Sequence, residues 1–163
     1  MPRAGRSGLR VALALTFAWA APAGAQALLE AVDAQGDVLF AAPLARETRW
    51  CLIWNHSVAG FAVQDCFRQD GGYLVLERSH QPDFAAGLGH TPGRGVQVSD
   101  GAGGYWIEEM DVPIVGDMLP LRVGGPRVDH RLRIEGEREV SLSELAAGER
   151  VTLRLRFPEG SGG

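Results

Sequence analysis

A chain of 163 residues with 16 arginines, no lysine and 20 acidic side chains has the length of about one domain and a formal charge of −4. That balance argues against a nucleic-acid partner and against adsorption to an anionic membrane surface. The two cysteines show no CxxC spacing, so neither a dithiol redox motif nor a zinc-ribbon pattern is present.

Arg3, Arg6 and Arg10 form a basic start without acids, followed by an apolar run of 11 residues over 11–21. A bilayer needs roughly 20. Pro22 breaks the run, and Ala23-Gly24-Ala25 supplies the small residues of a signal-peptidase site. A secretory signal over residues 1–25 is expected, with cleavage after Ala25, a periplasmic or secreted location and no membrane span afterwards. Without it the chain holds 13 arginines against 20 acids, a formal charge of −7.

Residues 28–34 alternate as a strand and turn at Gln35-Gly36-Asp37 into a second, 38–40. Residues 49–68 then read as one β-hairpin about the Val58–Ala59 step. In that register Trp50 faces Phe67, Trp54 faces Val63, His56 faces Phe61 and Cys51 faces Cys66. One hairpin face becomes aromatic and aliphatic, carrying Trp50, Leu52, Trp54, Phe61, Val63 and Phe67. The cysteines are placed for a disulfide in an oxidising compartment. A two-residue turn, however, would make them a hydrogen-bonded pair, which a cross-strand disulfide accommodates less readily.

Gly71-Gly72 turns the chain into a strand over 73–78. Residues 79–95 follow as a 17-residue connection rich in glycine and proline, a length that is usually functional or disordered. Phe84 and Leu88 can anchor it, while His80, Asp83, His90 and Arg94 offer polar groups. Strands are expected at 96–98, 105–110, 119–123, 127–134 and 150–157, with a one- or two-turn helix at 142–147 capped by Ser141 or Ser143. The fold class is therefore all-β: an antiparallel sandwich or partly open barrel with one short helix at most, one domain over 26–157 and a disordered tail over 158–163.

His56-Ser57-Val58 in a hairpin, the acid Asp65 further on, and Gly87-Leu88 shortly after the aromatic Phe84 resemble a bacterial family of small exported proteins, domain of unknown function 1850, over roughly residues 28–157. The chain departs from that pattern where Ala59 replaces an acid and where Asp65 replaces a glutamate. The resemblance implies an association with TRAP transporters of the TAXI type and no established activity.

These observations point to an exported accessory or binding protein whose partner is a small molecule or a transporter component. Its ligand-binding residues are expected to be His56, Ser57 and Asp65 with Asp83, Gly87, His90 and Arg94 of the long connection; no catalytic residue, metal or cofactor is expected. His56 and Asp65 lie about 13 Å apart along a flat hairpin, so each should bond groups of the covering loop, such as the Gly87–Gly89 amides or Arg94. The alternatives are a hydrolase using the His56–Ser57 region, for instance with Asp83 and His90, and a structural or metal-binding module drawing on His56, Asp65, His80 and His90. His130, on an apolar strand face, reads as a hydrogen-bonded core histidine. Arg127, Arg131 and Arg133 share one strand face, as do Arg150, Arg154 and Arg156. Should the two strands adjoin, six guanidinium groups would line one surface; otherwise they are a solvated face balanced by nearby glutamates. Glu108, Glu109, Asp111 and Asp117 read as solvated.

Overall fold

Alternation of apolar and polar residues through short segments produces two antiparallel sheets packed face to face, a β-sandwich. The computed structural model describes residues 26–82 and 93–157. The expected signal segment, the tail, and Asp83, Gly87 and His90 of the long connection lie outside the described residues.

The smaller sheet has the order β2-β1-β12-β9, from β1 (Ala27–Asp33), β2 (Val38–Leu44), β12 (Arg150–Arg156) and β9 (Met118–Arg122). The larger runs β11-β10-β3-β4-β5-β7-β6. Its strands are β3 (Trp50–Asn55), β4 (Ala62–Asp70), β5 (Tyr73–Gln81), β6 (Val96–Ser99), β7 (Tyr105–Glu108), β10 (Arg131–Ile134) and β11 (Val140–Ser141). The two-residue strand β8 (Val112–Pro113) pairs with Val75 and Leu76 of β5. The core between the sheets joins Leu29, Ala31, Val151, Leu153 and Leu155 to Trp50, Leu52, Phe67, Leu74, Leu132 and Ile134. Trp50 is 0% exposed and stacks on Phe67 at 4.4 Å between centroids.

The hairpin has the expected register throughout: Trp50 pairs with Phe67, Cys51 with Cys66, Leu52 with Asp65, and so on to Asn55 with Ala62. Its turn is longer than expected. His56 N donates to Phe61 O at 2.7 Å and Gly60 N to His56 O at 2.8 Å, so residues 57–60 form a four-residue loop. Gly60, at φ 77°, supplies the left-handed conformation that closes it. Counting back in twos from the bonded 56–61 pair makes 51–66 a non-hydrogen-bonded pair. There the strands come closest: the Cα atoms of Cys51 and Cys66 stand 4.0 Å apart and the disulfide is formed. The longer loop removes the geometric objection that a two-residue turn would raise.

Two other expectations, the strand over 127–134 and the solvated Asp117, need correction, and the two arginine faces resolve as solvated surfaces balanced by acids. The strand expected over 127–134 begins only at Arg131. Val128 N bonds Gly125 O in a turn, and Asp129 has φ 51°. Arg131 and Arg133 belong to the larger sheet, and Arg150, Arg154 and Arg156 to the smaller, so no six-arginine surface exists. Arg131 and Arg133 pair with Glu139, and Arg154 and Arg156 close on Glu30. Asp117 is not merely solvated: its Oδ1 accepts Leu74 N at 2.6 Å, holding the start of β5.

Helix α1 (Leu142–Ala146) is capped by Ser141, whose Oγ accepts Glu144 N at 3.1 Å. Its Ser143 hydroxyl accepts His130 N at 2.8 Å and donates to Gly124 O at 2.7 Å, while Gly124 N donates to His130 Nδ1 at 2.9 Å. His130 is thus a half-buried structural acceptor. Burial lowers its pKa from the ordinary 6.5 against the pull of Asp129. A lowered folded pKa means that stability is full above pH 6.5 and declines as the pH falls through the folded value. Unfolding titrations should show this slope in the native protein and a shallower one in His130→Asn, whose amide oxygen still accepts Gly124 N. Equal slopes would show that His130 protonates freely in the fold.

Candidate functional site

Strand β5 carries polar chemistry on both of its faces, and a β-bulge puts it there. Phe67 pairs with Leu76 but Cys66 pairs with Arg78, so Glu77 is the extra residue. One extra residue reverses the alternation beyond it. Leu74 and Leu76 point into the core before the bulge. After it Ser79 and Gln81 point inward, while Arg78 and His80 point outward.

On the inner face Asp65 of β4 pairs with Ser79 of β5, and Gln81 pairs with Tyr105 of β7. Gln81 Nε2 donates to Ser79 Oγ at 2.9 Å, and Ser79 Oγ donates to Asp65 Oδ1 at 2.6 Å. The second contact has the length of a charge-assisted O–H···O bond. Ser79, Gln81 and Tyr105 are buried, and Asp65 is half-buried. Burial pushes the Asp65 carboxyl above its ordinary range, and the Ser79 hydroxyl only partly pulls it back. Gln81 is 7% exposed, and its Oε1 is buried without a hydrogen-bond partner among the described residues. The relay is therefore polarised: protons are donated along it toward Asp65, and an unmatched acceptor is left at its other end.

On the outer face His80 Nε2 lies 2.8 Å from Asp100 Oδ2 and its ring packs on Trp106 at 4.9 Å. Arg78 lies over the same indole at 4.5 Å. Asp100 Oδ1 accepts the amides of Ala102 and Gly104 at 2.8 and 2.9 Å. The His80 bond and then these amides hold the Asp100 carboxyl below the usual carboxylate range. Gly104 is required here, since a Cβ would stand 2.6 Å from Asp100 Oδ2 and 2.8 Å from Pro82 Cα. Trp106 also packs against Cys51, Ile53 and Cys66, and Gln64 Nε2 caps the sulfurs at 3.4 and 3.1 Å.

The hairpin tip is separate from both clusters. His56 Nδ1 accepts Ala59 N at 3.1 Å, and its ring lies 5.2 Å from Phe61, while Ser57 is exposed. Four residues of strand, about 13 Å, separate this position from that opposite Asp65. The structure brings Asp65 together with Ser79 and Gln81, not with His56 and Ser57, and Arg94 is exposed. Sequence reasoning missed Ser79 and Gln81. The alternation of 73–78 gives no sign of the bulge, which carries β5 past the expected end at Arg78 to Gln81. Among the described residues no group of three or more His, Cys, Asp or Glu side chains is placed to hold a metal ion.

The family model described as a domain of unknown function (DUF1850) matches residues 51–141. That span takes in the larger sheet from Cys51 to Ser141, with both polar clusters of β5. No curated protein and no solved structure matches the chain.

Proposed function

This chain belongs to the DUF1850 family, and we propose that it is an exported, non-catalytic accessory of TRAP-type solute uptake that binds its ligand at the Asp65–Ser79–Gln81 relay. The observation that carries this reading is the buried Gln81 Oε1, which has no partner among the described residues, at the end of a chain that leads to a half-buried carboxylate. An unsatisfied buried acceptor costs about 1–3 kcal/mol. Costs of this kind are concentrated at functional sites, where a ligand offsets them. The disulfide is compatible with an extracellular or periplasmic location. At the hairpin tip, among the described residues, no hydrogen bond joins His56 to Ser57, and the imidazole Nδ1 accepts the Ala59 turn amide, which supports a non-catalytic role.

A thermal-shift screen of the purified protein against organic acids, amino acids and divalent metals tests the proposal. A ligand should raise the melting temperature of the native protein, and Ser79→Ala should abolish the response. Asp65→Asn supplies a companion result that needs no ligand. The raised folded pKa makes the ionised carboxylate a burden that grows as the pH rises from 3.8 through the folded value. Asp65→Asn, whose Oδ1 still accepts the Ser79 proton, should therefore be more stable than the native protein at pH 7, with the gain vanishing below about pH 3.8. A destabilised Asp65→Asn together with a blank screen would make the relay a structural brace.

A further inference from the structure

We propose that the outer face of the smaller sheet holds a carboxylate-binding site between Arg122 and Arg150, distinct from the relay of the larger sheet. The two arginines are direct cross-strand partners in β9 and β12, and both are exposed. Like charges placed directly opposite each other are destabilising. Among the described residues neither meets a carboxylate at ion-pair distance, whereas Arg49, Arg68, Arg131, Arg133, Arg154 and Arg156 all do. The pair borders an open cleft of roughly 470 Å³, lined also by Asp33, Pro120 and Thr152. Asp33 lines the cleft without ion-pairing to either arginine; its Oδ1 accepts the amides of Gln35 and Asp37, both at 2.9 Å, which holds that carboxylate in its own turn.

The same strand shows what such a pair takes. On the same face of β12, Arg154 and Arg156 converge on the buried Glu30 of β1. Arg154 Nε and Nη2 reach one carboxylate oxygen at 3.0 and 2.9 Å, and Arg156 Nε reaches the other. Burial would raise the Glu30 carboxyl, but the bonds from Arg156 and Arg154 outweigh it and hold the group below its ordinary range. Arg122 and Arg150 likewise set two arginines side by side, here across two strands and not along one, and without an internal acid. A ligand carboxylate fits where Glu30 sits in the other pair, with paired N–H donors on either side. The cleft is of the size that takes a small organic acid.

Titration calorimetry with acetate, succinate, inorganic phosphate and chloride tests the site in the native protein, in Arg122→Gln, in Arg150→Gln and in the control Arg138→Gln. Acetate or succinate should bind saturably. Each cleft variant should weaken that binding roughly tenfold or more, the loss of one charge-assisted pair, and Arg138→Gln should leave it unchanged. Without ligand, Arg150→Gln should melt no lower than the native protein at low salt, because the like-charge contact is gone. Absence of saturable carboxylate binding, tighter binding of phosphate than of either acid, or a lower melting point for unliganded Arg150→Gln would each overturn the proposal.

Discussion

Trp50→Ala should lower stability by about 3–5 kcal/mol, the largest effect expected of any single substitution. Trp50 is wholly buried, stacks on Phe67 at 4.4 Å, and belongs to the cluster through which the larger sheet meets Leu29, Leu153 and Leu155 of the smaller. The stacked pair adds about 0.5–1.5 kcal/mol beyond area burial. For a domain whose total stability is about 5–15 kcal/mol, the loss approaches unfolding. Trp50→Phe is the control. It keeps an aromatic ring on Phe67 and discards an indole N–H that is buried without a partner among the described residues, so its cost should stay within about 1.5 kcal/mol. Denaturant midpoints of the three proteins decide the matter. A Trp50→Ala cost below about 1 kcal/mol would mean that the two sheets do not share this core.

Trp50 and Phe67 also show why the hairpin was legible in the sequence. Two tryptophans, two phenylalanines and two cysteines recur at spacings that only one register satisfies, and all six residue pairs adopt it. The information lies in side chains that must find each other across a strand pair. Where that constraint lapses, so does the reading. Val128, His130, Leu132 and Ile134 alternate, yet Val128 lies in a turn, where it packs against the Cα of Gly124. Alternation records which residues prefer burial, and a turn folded back on its own chain half-buries Val128 and His130 without the strand that fully buries Leu132 and Ile134. Nor does alternation say which sheet a strand joins. The arginine faces of β10 and β12 lie on separate sheets, a placement that alternation alone leaves open.

The site was legible in part. Asp65 stood out because the register placed a carboxylate between apolar neighbours, and its burial and raised carboxyl pKa follow from that placement. Its partners were not legible. Ser79 and Gln81 face inward only because Glu77 is bulged, and a bulge is fixed by three-dimensional packing, with no signature in the alternation of 73–78. His56 and Ser57 drew attention through their polarity at a hairpin tip, where the local need of the turn amides accounts for the imidazole.

Reduction of the Cys51–Cys66 disulfide should cost roughly 2–4 kcal/mol while leaving the relay intact. The bridge closes a loop across 15 positions of sequence, and loops of that length restrict the unfolded chain by about 3 kcal/mol in the chain-entropy model. Its native-state role is local. It joins β3 to β4 on the outer face, whereas Asp65 meets Ser79 between β4 and β5 on the inner face. The register of β3 on β4 is held independently by the Trp50–Phe67 stack. Reduced protein should therefore unfold at lower denaturant but keep the slow exchange of the Ser79 amide while it remains folded. The Cys51→Ala/Cys66→Ala double variant should match the reduced protein to within about 1 kcal/mol. Thiol titration after denaturation should find no free cysteine before reduction. Two titratable thiols in the untreated protein, or an unchanged midpoint after reduction, would show that the bridge does not restrain the unfolded chain. Loss of Ser79 protection on reduction would show instead that the two faces of β4 are coupled, through Cys66 and its neighbour Asp65.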